Sequence, residues 1–181
     1  MRLLAFFLLI SYLSNAQELG YESRKREILS DIIRTEAFNK GETFITAKID
    51  SANVEHLLKS ILEKPYIVNF NNQKENLIIT VEELEYFAKA LRKQYKNEWK
   101  EDDFNNRKVI KQSDIPECLY QDINRKVVMI SDPILFKSDQ TIFVYLANLC
   151  CCGAYGSSGL FLYTKKDGVW KKSFNIIEED Y

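Results

Sequence analysis

The chain has 181 residues, 46% of them hydrophobic and 28% charged, with a formal net charge of -1. That length supports one domain with its own core, and the composition is that of a globular chain rather than a disordered one. The near-neutral balance supplies no basic field of the kind a phosphate backbone demands, so nucleic acid is excluded as an expected partner and anchoring to an anionic membrane surface is unsupported.

Met1-Arg2 is a minimal basic region, and Leu3 to Leu13 is an apolar run broken only by Ser11. The run is too short to span a bilayer as a stable helix. Ser14 and Ala16, just ahead of Gln17, fit the small-residue pattern that signal peptidase reads. The expectation is a signal peptide over 1–16, cleaved after Ala16, followed by a single α+β domain over 17–181 in the periplasm or the secreted space. The residue directly after the cleavage point is Gln17 and not cysteine, so a lipid anchor is not indicated. No second long apolar stretch is present, so no transmembrane segment is expected in the mature chain.

Tyr21 to Lys40 reads as a helix, with Ile28, Leu29, Ile32 and Ile33 as its apolar stripe and Arg24, Lys25, Arg26 and Arg34 in water. Gly41 stands where a left-handed cap is expected. Thr43 to Ile49 alternates loosely, as a short strand would. Ser51 to Glu63 repeats Val54, Leu57, Leu58, Ile61 and Leu62 at helical spacing, and Pro65 ends it. The only histidine, His56, lies there. A lone histidine on a helix is more often a surface side chain than a catalyst, and its titration near neutrality is its one special claim.

Tyr66 to Phe70 and Leu77 to Ile79 read as short strands. Thr80-Val81-Glu82-Glu83 matches the capping box, in which each side chain satisfies the other residue's backbone donor. The helix it starts, from Val81 to about Trp99, carries Leu84, Phe87, Ala88, Leu91 and Tyr95 on one face. Glu101 to Asn106 reads as a loop. Its carboxylates Glu101, Asp102 and Asp103 lack the alternation and central glycine of a calcium loop, so a solvated turn is expected and no metal. Asp114-Ile115-Pro116-Glu117 looks like a helix start.

From Lys126 to Ile177 the pattern turns to strands: Lys126–Ser131, Thr141–Cys150, Gly159–Thr164 and Val169–Ile177. The second has apolar residues on both faces, with Ile142, Val144 and Leu146 on one and Phe143, Tyr145 and Ala147 on the other. It is therefore expected to be interior. Lys165-Lys166-Asp167-Gly168 supplies a hairpin turn. Strict alternation puts Trp170, Phe174 and Ile176 on one face of the last strand. Lys171 and Lys172 are expected to guard an exposed edge. The fold class is thus α+β, a C-terminal four-strand antiparallel meander with N-terminal helices packed on one face.

The four cysteines are Cys118, Cys150, Cys151 and Cys152. A disulfide wants Cα atoms roughly 4.4–6.8 Å apart, whereas sequence neighbours sit about 3.8 Å apart. Every full pairing includes a bond within the triplet. Either one bond is strained or two thiols stay free, and Cys118 with Cys150 or Cys152 is the expected pair. Gly153, Tyr155, Gly156, Ser157 and Ser158 then form a flexible strand connection, the candidate binding loop. The paired C-x-x-C spacing of zinc and redox sites is absent. Buried structural cysteine therefore outweighs a metal or redox centre. A cysteine nucleophile served by His56 requires the fold to bring the two together, and no local signature marks it. Trp99, Trp170, Tyr145, Tyr155 and Tyr163 include enough aromatic surface for a glycan or peptide, but at strand and helix spacing most read as core.

Ile130-Ser131-Asp132-Pro133-Ile134-Leu135-Phe136, Phe143-Val144-Tyr145, Cys152-Gly153, Gly159 to Tyr163 and Gly168-Val169-Trp170-Lys171 together resemble a family of small exported Bacteroidota proteins of unknown function. That family's pattern is roughly S-x-P-I-F, an apolar strand, C-G-x-x-C-G-x-G, and a strand with G-x-W. The helix start at Thr80 and Trp99-Lys100 fit it, as does the Asn-Ala-Gln end of the signal peptide. Gly156 stands where the family has its second cysteine, so Cys150 or Cys151 would substitute in a loop disulfide. The resemblance implies no activity.

The functional expectation is a non-catalytic binding or interaction module of the envelope or secreted space, needing no cofactor and recognising a protein, peptide or glycan. A thiol-dependent or hydrolytic enzyme centred on Cys150–Cys152 is the alternative, separable by alkylation kinetics. An inhibitor or immunity-type partner protein is a further one, separable by co-purification.

Overall fold

The computed structural model describes residues 21, 23–35, 42–63, 79–105, 107–115, 125–149 and 156–180. In chain order these form α1 (residues 23–35), β1 (Glu42–Thr46), α2 (Ser51–Leu62), α3 (Val81–Lys93), β2 (Val109–Ile110), β3 (Arg125–Ile130), β4 (Ile134–Phe136), β5 (Ser138–Leu149), β6 (Ser157–Lys166) and β7 (Val169–Asp180). The seven strands make one mixed sheet in the order β2-β1-β3-β5-β6-β7, with β4 also paired to β5. The class is α+β, and β3, β5, β6 and β7 are the antiparallel run that the alternation predicts. The parallel neighbours of β1, which are β2 and β3, are an addition. The expected strands at 66–70 and 77–79 fall on or beside 64–78, outside the described residues apart from Ile79. So do the signal peptide and everything from Pro116 to Asn124.

Apolar β5 dictates the layering. Its two faces bury Ile142, Val144 and Leu146 on one side and Phe143, Tyr145 and Ala147 on the other. One helical layer would leave half of these wet, at a cost of about 1.5–3 kcal/mol for each large side chain. The face expected to hold the N-terminal helices is filled by α2 and α3, which pack Leu57, Leu58, Phe87 and Leu91 against Met129, Phe143, Leu160 and Leu162. Helix α1 lies on the other face, with Ile28, Leu29, Ile32 and Ile33 against Val128, Ile130, Val144 and Trp170.

Local chemistry starts these elements where the sequence says it should. Thr80 Oγ1 accepts from Glu83 N at 3.2 Å while Glu83 Oε2 accepts from Thr80 N at 2.8 Å, so the capping box is closed. Asp50 caps α2 through Ala52 N at 2.9 Å. Asp167 and Gly168, at φ 53° and 77°, make the two-residue turn between β6 and β7. Positive φ at both positions matches the right-handed twist of the flanking strands. The expected loop at 101–106 includes a single 3-10 turn over Glu101–Phe104, which drives Phe104 against Trp99 at 4.9 Å between ring centroids.

The last strand departs from strict alternation. The β6–β7 register slips between Leu160 and Phe161 and again between Leu162 and Tyr163, leaving Ile176 and Ser173 as extra residues. A bulge shifts the side-chain parity of everything beyond it. Trp170 therefore joins the α1 face, whereas Phe174 and Ile176 join the α2/α3 face. The expectation of one shared face is corrected on that ground. Gly159 has its own reason: the Phe161 ring lies over it, and a Cβ there would meet Phe161 Cζ at 2.5 Å and the Ile177 carbonyl oxygen at 2.6 Å.

Candidate functional site

Of the predicted site residues, Cys118, Cys150, Cys151, Cys152, Gly153 and Tyr155 lie outside the described residues. Gly156 stands immediately before β6. Ser157 and Ser158, expected in a flexible connection, are the first residues of β6 itself. Ser157 pairs with Asn148 and Asp180, and Ser158 pairs with Ala147 and Glu179. His56 projects from α2, mostly exposed, with Nε2 3.2 Å from Glu179 Oε2. Tyr145, Tyr163 and Trp170 are fully buried, as core aromatics.

The best-built polar cluster sits at the opposite end of β3, where the sequence turns at Ser131-Asp132-Pro133. Ser131 holds the turn to β5: its N–H donates to the Tyr145 carbonyl at 3.0 Å, and its Oγ accepts from Tyr145 N at 2.9 Å. The Gln94 amide clips the Asp132 backbone, with Oε1 accepting from Asp132 N at 2.8 Å and Nε2 donating to the Asp132 carbonyl at 3.4 Å. Asn97 Nδ2 donates to Asp132 Oδ2 at 3.2 Å. Lys25 Nζ, from α1, approaches Oδ1 to 2.7 Å, with the two side chains only 13% and 14% exposed. The same ammonium lies 4.7 Å from the Trp99 ring centroid, and Trp99 Nε1 donates to the Ile130 carbonyl at 2.8 Å. A cation over an indole face is attracted by the ring quadrupole.

Beside Lys25 lies an open cleft of about 200 Å³ lined by Tyr21, Arg24, Lys25, Ile28, Pro133 and Leu135. Its walls are the first turns of α1 and the β3–β4 connection. Leu135 is the β4 residue whose neighbours Ile134 and Phe136 both face α3, so the pleat turns it outward onto the α1 side. Tyr21 and Leu135 are 48% and 45% exposed, two of the few large apolar side chains left in water. The cleft is thus an apolar notch that meets the polar cluster at Lys25.

Lys25 corrects the sequence reading, which left it in water. It stands three residues before Ile28 and therefore on the apolar stripe of α1. That spacing was the available signal. The carboxylate it meets lies on a distant strand end, which no local pattern reveals.

A second ionic knot, Glu55–Arg92–Tyr95, joins α2 to α3. Arg92 forks onto Glu55 through Nε at 2.8 Å and Nη2 at 2.7 Å, and Tyr95 Oη donates to Glu55 Oε1 at 2.9 Å. The Arg92 hydrogen bonds lower the Glu55 carboxyl to about 2 against the opposing effect of burial, and Tyr95 helps. Burial first, then Glu55, pushes the Tyr95 hydroxyl up. These bonds run between α2 and the end of α3, so the work of the knot is to join helices. Among the described residues no group of three histidine, cysteine, aspartate or glutamate side chains converges as a metal site, and no helix is long and apolar enough to cross a membrane.

Comparison with protein-family models, curated proteins and solved structures finds no match to this chain.

Proposed function

We propose that this chain is an exported, non-catalytic recognition module that takes one apolar group of a protein, peptide or glycan into the Tyr21–Leu135 cleft. The observation that carries the reading is a cleft walled by the exposed side chains of Tyr21 and Leu135, whose lining lysine, Lys25, is already paired with Asp132. Such a lining offers mainly apolar surface for a partner to fill. At about 200 Å³ the cleft falls below the roughly 300–1,000 Å³ of small-molecule sites. It suits a single side chain or sugar face of a larger partner. Selection from displayed peptide and glycan libraries tests it. Ligands selected on the natural chain lose binding to the Leu135→Arg variant. Ligands that hold both equally well refute the cleft.

Export and oxidation belong to the same proposal, with removal of residues 1–16 and a bond from Cys118 to Cys150 or Cys152. Intact mass and non-reducing peptide mapping read both. Membership of the exported Bacteroidota family is proposed on the motifs quoted above.

One observation favours the thiol-enzyme reading. His56 and Glu179 pair beside Ser158, at the sheet end where β5 stops short of the cysteine triplet. Rapid alkylation below pH 7 that slows in His56→Ala would make this the better account; slow alkylation indifferent to His56 removes it.

A further inference from the structure

Strand β7 has β6 on one side and, among the described residues, no strand on the other. It is 12 residues long, whereas the strand at the opposite edge, β2, has two. A free edge of that length presents a row of unpaired backbone donors and acceptors, a template for another strand. The edge is limited at its start. The Trp170 N–H donates to Asp31 Oδ2 at 3.1 Å, so α1 covers the edge at the second residue of the strand.

The charges along the remaining edge are arranged by polarity. Lys171 and Lys172 stand near its start, and Glu178, Glu179 and Asp180 at its end. The two bulges fix which face each occupies. Lys171 lies opposite Thr164 and Glu179 opposite Ser158, so both belong to the α2/α3 face. Lys172 lies opposite Tyr163 and Glu178 opposite Gly159, so both belong to the α1 face.

We infer that β7 is the interface of a two-fold homodimer, its occupant the β7 strand of a second copy running antiparallel about an axis near Asn175. In that register Lys171 of one copy faces Glu179 of the other, and Lys172 faces Glu178. Phe174 then faces Ile176, which share the α2/α3 face. Each pair matches both in charge or polarity and in face. An isologous contact needs this self-complementarity, in which residue i meets j and j meets i. Without the bulges, strict alternation would put Trp170, Phe174 and Ile176 together on the face opposite Lys171 and Glu179. The bulges separate them, bringing Phe174 and Ile176 onto the Lys171 and Glu179 face while Trp170 stays on the other. Bulges and lysines also discourage indiscriminate edge pairing. Opposite charges placed at matching distances from Asn175 admit one partner despite them.

Sedimentation of the full chain tests the interface with two charge-reversal variants, Lys171→Glu/Lys172→Glu and Glu178→Lys/Glu179→Lys. The natural chain is expected to dimerise, and each variant alone to be monomeric. Their equimolar mixture is expected to dimerise again, because an antiparallel pair of one of each restores every opposite-charge contact. A natural chain still monomeric at about 1 mM overturns the inference, as do variants that remain dimeric alone or a mixture that stays monomeric. The readout is independent of the cleft, so its failure leaves the recognition proposal standing, and the reverse.

Discussion

Lys25 Nζ lies 2.7 Å from Asp132 Oδ1, and this contact fastens α1, whose Lys25 lines the cleft, to the end of β3. Asn97 and Gln94, from the segment after α3, hold the same aspartate from the other side of the sheet. All three layers therefore meet at one residue. A binding wall made of two separate elements keeps its shape only if something fixes their spacing, and this ion pair does so.

Removing one partner strands a largely buried charge. Asp132→Ala is expected to cost about 3 kcal/mol, the lower end for a broken buried pair. Lys25→Met with Asp132→Asn is expected to cost less than the two single changes added together, with a coupling of about 1 kcal/mol or more. Urea titrations of the four proteins give the cycle, and additive losses would deny the pair its role.

The capping box at the start of α3 makes a second, independent prediction. Thr80→Ala leaves the Glu83 N–H without its acceptor and is expected to lower stability by about 1 kcal/mol, with Thr80→Ser close to the natural chain. Equilibrium unfolding followed by circular dichroism measures both.

Acid should loosen the α2–α3 contact. The Glu55 carboxyl is lowered from 4.5 to about 2 in the folded chain. A depressed folded value means that the stabilisation is fully present above the unfolded value and is lost as pH falls through the folded one. The loss therefore falls between about pH 4.5 and 2. Both side chains of the Arg92–Glu55 pair are nearly half exposed, so solvent screening limits the effect to about 0.5–1 kcal/mol. Arg92→Met is expected to flatten the acid limb of a stability-against-pH curve over that window. An unchanged limb would remove the assignment.

Gly159 is held to glycine by close approach, not by its dihedral angles. Gly159→Ala is expected to cost about 3 kcal/mol, the upper end of overpacking, because the Ile177 carbonyl at 2.6 Å belongs to the backbone and cannot turn aside. Adding Phe161→Leu should recover only part of the loss, as it frees the ring contact alone. Thermal denaturation of the single and double variants decides it.

Much of the sheet was legible because its rules are local. Alternation located β3, β5, β6 and β7, Asp167-Gly168 marked the hairpin, and Thr80-Val81-Glu82-Glu83 marked the start of α3. The parallel pairing of β1 with β3 was not legible, since a five-residue strand carries no mark of its partner. The β7 bulges were hidden for a similar reason. An extra residue in one strand is defined only against its neighbour, so Trp170 and Phe174 looked like face mates when they are not. At the candidate site, local pattern marks Asp132-Pro133 only as a strand end and places Lys25 in water. Their meeting depends on packing α1 against the sheet face that β5 leaves apolar. His56 with Glu179 is another meeting of this kind.

A shift map of the isotope-labelled chain, titrated with a library-selected ligand, tests recognition at the cleft most directly. The Leu135 and Ile28 methyl groups, which line the cleft, are expected to move first, while the Leu57 and Leu91 methyl groups between α2 and α3 stay still. Perturbations confined to His56, Ser157 and Ser158 at the far end of β6, with Leu135 unmoved, would place binding elsewhere and contradict it.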